Sequence, residues 1–177
     1  EQIWFTNAPY NSQMTTTAEG QKLLFKIKEA IASGNVVVTG GYPSRWKYSS
    51  VINPGELGKK GESILAYSIK DGAGGHQVSL VGYDDNITTK ANGVTLKGAF
   101  LMANSYGEGW QNDGYVWVAY DALNAVSEYE VLNNEKYNRG WTFDQFCFMY
   151  WDSDVEVVKP QLSVEVELET NNREAFY

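Results

Sequence analysis

His76 is the only histidine in a chain of 177 residues, and its neighbours suit a proton carrier. Gly74 and Gly75 precede it and a short apolar run, Val78 to Val81, follows. The imidazole is therefore expected at the mouth of a strand that the backbone reaches by a sharp turn. A carboxamide stands ready to orient it. Asn104 closes a second apolar run, Leu101-Met102-Ala103, again just before glycines. In an antiparallel pair the start of one strand lies beside the end of the other, which brings His76 and Asn104 together. An amide there accepts the imidazole N–H and holds one tautomer, the orienting role in catalysis by nucleophile, base and orienter.

Around these two residues the chain resembles the papain-like cysteine peptidases. In that family the histidine heads a strand of the form His-Ala-Val-x-x-Val-Gly-Tyr, matched by His76, Val78, Val81, Gly82 and Tyr83. The asparagine stands in Lys-Asn-Ser-Trp-Gly-x-x-Trp-Gly-x-x-Gly-Tyr, matched by Asn104, Ser105, Gly107, Trp110, Gly114 and Tyr115. Three positions depart from the pattern. Ala103 replaces the lysine, Gln111 the glycine after Trp110, and Tyr106 the tryptophan that shields the His-Asn contact from water.

The resemblance implies that His76 is the catalytic base and acid and Asn104 its orienter; the plainer alternative is that both merely cap strands. The family's cysteine sits in Gly-x-Cys-Trp at the start of a buried helix, where the helix N-terminus and a nearby imidazolium stabilise the thiolate. An oxyanion-stabilising glutamine lies upstream of it. Neither motif occurs in this sequence. Cys147, the single cysteine, lies within Phe146 to Tyr150 and reads as a strand residue with a buried, inert thiol. The chain thus resembles the C-terminal barrel domain of the bacterial branch of the family, with the cysteine-bearing N-terminal domain absent.

Composition narrows the remaining classes. With 43% hydrophobic and 14% aromatic residues a packed core is expected. A formal charge of −8 argues against a nucleic-acid partner, because no basic stripe exists to displace counterions from phosphates. One cysteine excludes an internal disulfide and a cysteine-cluster metal site. No apolar run approaches the ~20 residues that span a bilayer, so no membrane partner is expected, and the start of the chain lacks a signal-peptide pattern. The chain begins at Glu1, as an excised or processed module would, and an extracellular location is expected. No cofactor is expected. The acids at Asp84-Asp85-Asn86 lack the regular oxygen spacing of a calcium loop.

The elements that must position His76 and Asn104 are legible in outline. Thr16 and Glu19 have capping-box spacing, and Leu23, Leu24, Ile27, Ala30 and Ile31 repeat at helical intervals until Ser33-Gly34. The lysines at 22, 26 and 28 read as a solvated face. Val36 to Thr39 is a β-branched strand. Residues 40–75 read as a long loop with short strands at Val51-Ile52 and Ile64 to Ile69, in which Trp46 and Tyr48 either pin the loop or line a cleft. Asp84-Asp85-Asn86 and Asn92-Gly93 read as turns, Gly98 to Asn104 and Tyr115 to Ala119 as strands, and Asp121 to Val126 as a short helix. Trp141 to Trp151 is an aromatic strand.

The expected fold class is α+β: a papain-like second domain, with an antiparallel barrel-like sheet, one packed N-terminal helix and short peripheral helices. It spans residues 1–158, and residues 159–177 form a C-terminal edge strand or linker. The expected function is that of the His/Asn-bearing half of a cysteine peptidase, inactive alone for lack of its nucleophile. Its partners would be the missing cysteine-bearing domain and a peptide or protein substrate or inhibitor. The alternative is a non-catalytic module of a multimodular extracellular protein that grips a peptide, inhibitor or glycan.

Overall fold

The computed structural model describes residues 2–7, 15–41, 43–68, 75–91, 93–123, 129–132, 135–138 and 143–150, with only the backbone of 2–7 and of the strands beyond 128. In chain order the elements are β1 (Gln2–Asn7), α1 (Ala18–Ala32), β2 (Val37–Gly41), β3 (Trp46–Asn53), β4 (Ser63–Ser68), β5 (His76–Ala91), β6 (Val94–Ala103), β7 (Tyr115–Ala119), β8 (Tyr129–Leu132), β9 (Glu135–Asn138) and β10 (Phe143–Tyr150). The fold is mixed α+β, with one α-helix among the described residues and a mostly antiparallel sheet.

Eight strands run in the order β1-β10-β2-β5-β3-β4-β7-β6, and a further pairing joins β5 to β6. That pairing closes the circuit β5-β3-β4-β7-β6, in which only β4 and β7 are parallel. Val78, Leu80, Leu65, Phe100, Met102, Val116 and Val118 pack in one hydrophobic core, all buried. Alternation places Phe100 and Met102 on the core face of β6, so that Asn104, two residues on, emerges at its rim. Phe100 is fully enclosed, and truncating such a ring costs about 3–5 kcal/mol.

Helix α1 covers the sheet through Leu23, Ile27 and Ala30. Its N-cap is Thr17, one residue beyond the expected Thr16, and the Thr17 hydroxyl accepts from the Gly20 N–H at 3.1 Å. It ends at Ser33 ahead of Gly34, whose φ of +83° only glycine adopts without strain. Lys28 does not belong to a solvated face. It pairs with Asp85 of β5 and lies over the Tyr120 ring at 4.5 Å, because the helix turns that side chain toward the sheet.

The largest departure from the sequence reading is β5. Asp84-Asp85-Asn86 does not turn the chain; it is an irregularity within a single strand of 16 residues, where the register with β6 slips between Asp84 and Thr88. Polar, turn-forming residues also serve a bulge, which is why the pattern misled. The turn comes later, between Ala91 and Val94, where Gly93 has φ +81°. The expected loop at 40–75 holds two full strands, β3 and β4, that complete the circuit. Of the helix expected at Asp121 to Val126, the described part is a 3-10 turn at Tyr120–Leu123, and residues 124–126 lie outside the described residues. The tail at 159–177 and the domain boundary before it lie outside the described residues.

Candidate active site

β5 and β6 pair with Ser79 opposite Ala103, so His76 at the start of one strand overhangs Asn104 just past the end of the other. Their side chains meet: His76 Nε2 lies 2.7 Å from Asn104 Oδ1. An amide oxygen only accepts, so this contact requires the proton on Nε2 and leaves Nδ1 as the basic nitrogen in the neutral ring. The same oxygen also accepts from the Ser105 N–H at 2.8 Å, which fixes the orientation of the amide. Both residues are half-buried, at the lip of the circuit.

Tyr106 stacks on the imidazole, with ring centroids 4.8 Å apart and planes 15° from parallel, and Trp110 meets Tyr106 edge-on at 5.6 Å. The tyrosine therefore covers one face of the histidine although it is itself half exposed. Tyr48 of β3 borders the same group. Burial pushes its phenol up to about 12, with Tyr106 nearby adding to the shift. Trp46 is buried and pins its segment, whereas Tyr48 remains 38% exposed at the lip.

The turn that carries Asn104 and Tyr106 is held at its base. Asp113 and Gly114 both have positive φ, +56° and +88°, the signature of a type I′ turn between Asn112 and Tyr115. The Gly114 carbonyl accepts from the Asn104 N–H at 3.0 Å. Gln111, standing where the resembled motif has glycine, also adopts a left-handed φ of +48°. A side chain there costs roughly 1–2 kcal/mol that glycine would not.

The sequence reading had no signal for Asn112. Its side chain makes two peptide-like bonds to Ser63 of β4, Oδ1 accepting from the backbone N–H at 2.7 Å and Nδ2 donating to the carbonyl at 2.9 Å. An asparagine ahead of Asp-Gly reads only as turn chemistry, and nothing local reveals a partner 49 positions away.

Cys147 lies on β10, opposite Val38 of β2, which in turn is opposite Ser79 of β5. It is thus two strand spacings across and three residues along from His76, roughly 14 Å between backbones, beyond a direct contact. Among the described residues no group of His, Cys, Asp or Glu is arranged to hold a metal ion. Among them, too, no helix is long and apolar enough to cross a membrane.

No family model matches the chain, and no curated protein matches it. Among solved structures, SERA5E from Plasmodium falciparum aligns with a TM-score of 0.43 and 17% identity over 81% of this chain and 44% of that one. A second, high-resolution SERA5E structure aligns at 0.42 and 16% over the same shares. The SERA5 proenzyme from the same organism aligns at 0.41 and 14%, over 74% of this chain and 28% of that one. The chain thus spans less than half the length of these proteins. A likeness this distant carries no weight for function.

Proposed function

We propose that this chain is the His/Asn-bearing half of a papain-like cysteine peptidase, its β5-β3-β4-β7-β6 circuit being the barrel of the second domain. The observation that carries the reading is the 2.7 Å contact between the lone histidine and Asn104, formed by two segments that match the family's motifs in order. In this reading His76 Nδ1 takes the proton of a thiol brought by another domain and later returns it to the leaving amine. Asn104 holds the ring in the tautomer that exposes Nδ1. Without a thiolate and an oxyanion hole the pair cannot form an acyl intermediate, so the chain by itself is expected to be inactive.

The native protein tests this directly. Intact mass and sequencing should find a Gly-x-Cys-Trp-like segment within about a domain's length upstream, whose thiol loses reactivity toward an alkylating agent on His76→Ala. Absence of such a segment sinks the proposal. A second reading, a non-catalytic module that grips a peptide or glycan, is favoured by the exposed rings of Tyr48, Tyr106 and Tyr115. Turnover of a fluorogenic peptide that vanishes on His76→Ala defeats it.

A further inference from the structure

We infer that Asn112 is a positioning residue for the histidine: a hydrogen-bonded relay runs from β4 through Asn112 and the 112–115 turn to Asn104 and so to the imidazole. The inference rests on the His76–Asn104 reading above and adds to it the element that sets the pair's geometry.

The relay is continuous. Ser63, the first residue of β4, is clamped by the Asn112 amide, which offers an acceptor and a donor in the arrangement of a neighbouring strand's peptide group. It thereby extends the β4–β7 pairing, whose first rung is Ile64 with Trp117, by one more step. From Asn112 the chain enters the tight turn: Asn112 N–H donates to the Tyr115 carbonyl at 2.9 Å, and Tyr115 N–H donates back at 3.1 Å. Gly114, inside that turn, donates to the Trp110 carbonyl at 2.8 Å and accepts from the Asn104 N–H at 3.0 Å. Asn104 Oδ1 then meets His76 Nε2.

The anchored end of the relay is itself braced. Glu62, next to Ser63, accepts from the Trp117 indole of β7 and from the Lys59 N–H, both at 2.8 Å, and its carbonyl accepts from Val51 of β3. The other end is open to solvent. Residues 105–109 are all exposed, and left-handed backbone at Gln111 and Asp113 stores strain that the turn would release if it were freed. Loss of the Asn112 clamp is therefore expected to let the turn relax and carry Asn104 and Tyr106 off the imidazole.

A single histidine makes the test unambiguous, since every imidazole signal in an NMR spectrum belongs to His76. In the wild type the Nε2 proton should be visible through slow exchange with water, and the ring protons should be shifted upfield by the stacked Tyr106. In Asn112→Ala both signatures should be lost while the rest of the amide spectrum keeps its dispersion. Asn112→Asp keeps the acceptor for the Ser63 N–H but not the donor, and should give an intermediate displacement, which also covers the case in which the alanine variant fails to fold. Ile27→Val, which loosens the core under α1, serves as the matched control: it should lower the melting temperature and leave both signatures in place. Asn112 variants that melt earlier with the His76 signals unmoved would overturn the relay. A wild-type spectrum without the protected Nε2 proton would instead overturn the underlying His-Asn reading.

Discussion

The two halves of β5 hold polar groups in opposite ways. Around Asp84 every oxygen is used. The buried carboxylate accepts from the backbone N–H groups of Glu56 at 2.6 Å, Leu57 at 2.9 Å and Asn86 at 2.8 Å. Gly55 approaches so closely that a Cβ there would stand 2.5 Å from both oxygens. Burial alone would raise the Asp84 carboxyl, but these backbone donors, with that of Ile87, outweigh it and hold the group below its ordinary value. The more exposed Asp85 carboxyl is also held low, desolvation being outweighed by Lys28 and by the hydroxyl of Tyr120, which both meet its Oδ1. At the other end of the strand His76 spends one nitrogen on Asn104, and among the described residues its second makes no hydrogen bond. A polar group whose capacity is saturated by the fold maintains architecture; one left half used at a lip is available for chemistry.

Breaking the saturated end should have the largest effect. Asp84→Ala strands at least three backbone donors and removes the brace of the 54–58 segment, so it should cost about 3–4 kcal/mol in urea denaturation. The His76 ring signals should persist in whatever fraction stays folded. A change of under 1 kcal/mol would mean that the carboxylate is not the keystone described.

The same site sets an acid dependence. Asp84 and Asp85 have folded-state pKa values below the ordinary 3.8, so the unfolded chain takes up their protons first as pH falls. Their contribution is complete above the ordinary carboxylate range and is lost as pH drops through the lower folded-state values. Acid unfolding of Asp84→Asn should accordingly show a shallower dependence on pH than that of the wild type below about pH 4. Parallel curves for the two would remove Asp84 from the account.

At the half-used end stability should respond weakly and the imidazole strongly. Asn104→Ala should cost only about 1 kcal/mol, the worth of one half-buried hydrogen bond, yet should abolish the protected Nε2 proton of His76. On the proposed reading, the same variant joined to its cysteine-bearing half should lower kcat with KM little changed. The smallest effect should be a gain. Gln111→Gly relieves a left-handed φ at the cost of extra freedom in the unfolded chain, so a net stabilisation of about 0.5–1 kcal/mol is expected by thermal melting. A loss would show that the glutamine side chain makes a contribution of its own.

Much of the molecule was readable before its structure. The helix, the strands at Val37 and Tyr115, the rim position of Asn104 and the candidate pair itself follow from periodicity and from glycines beside chemically capable residues, signals that lie within a few positions of one another. Asp84-Asp85-Asn86 is ambiguous in sequence because turns and bulges use the same residues, and only pairing with β6 distinguishes them. Local sequence assigns Lys28 to solvent because its partner, Asp85, is 57 positions distant. The Asn112 clamp is hidden from local sequence for the same reason.

The sequence by itself determined which residue types are available and the local elements that carry them, since those depend on short-range sterics and hydrophobic period. Only the tertiary structure decided which polar groups are saturated and which keep a free valence, because hydrogen-bond partners across a closed circuit of strands are chosen by register. The Nε2 contact of His76 and the Asn112 clamp behind it are both products of that register.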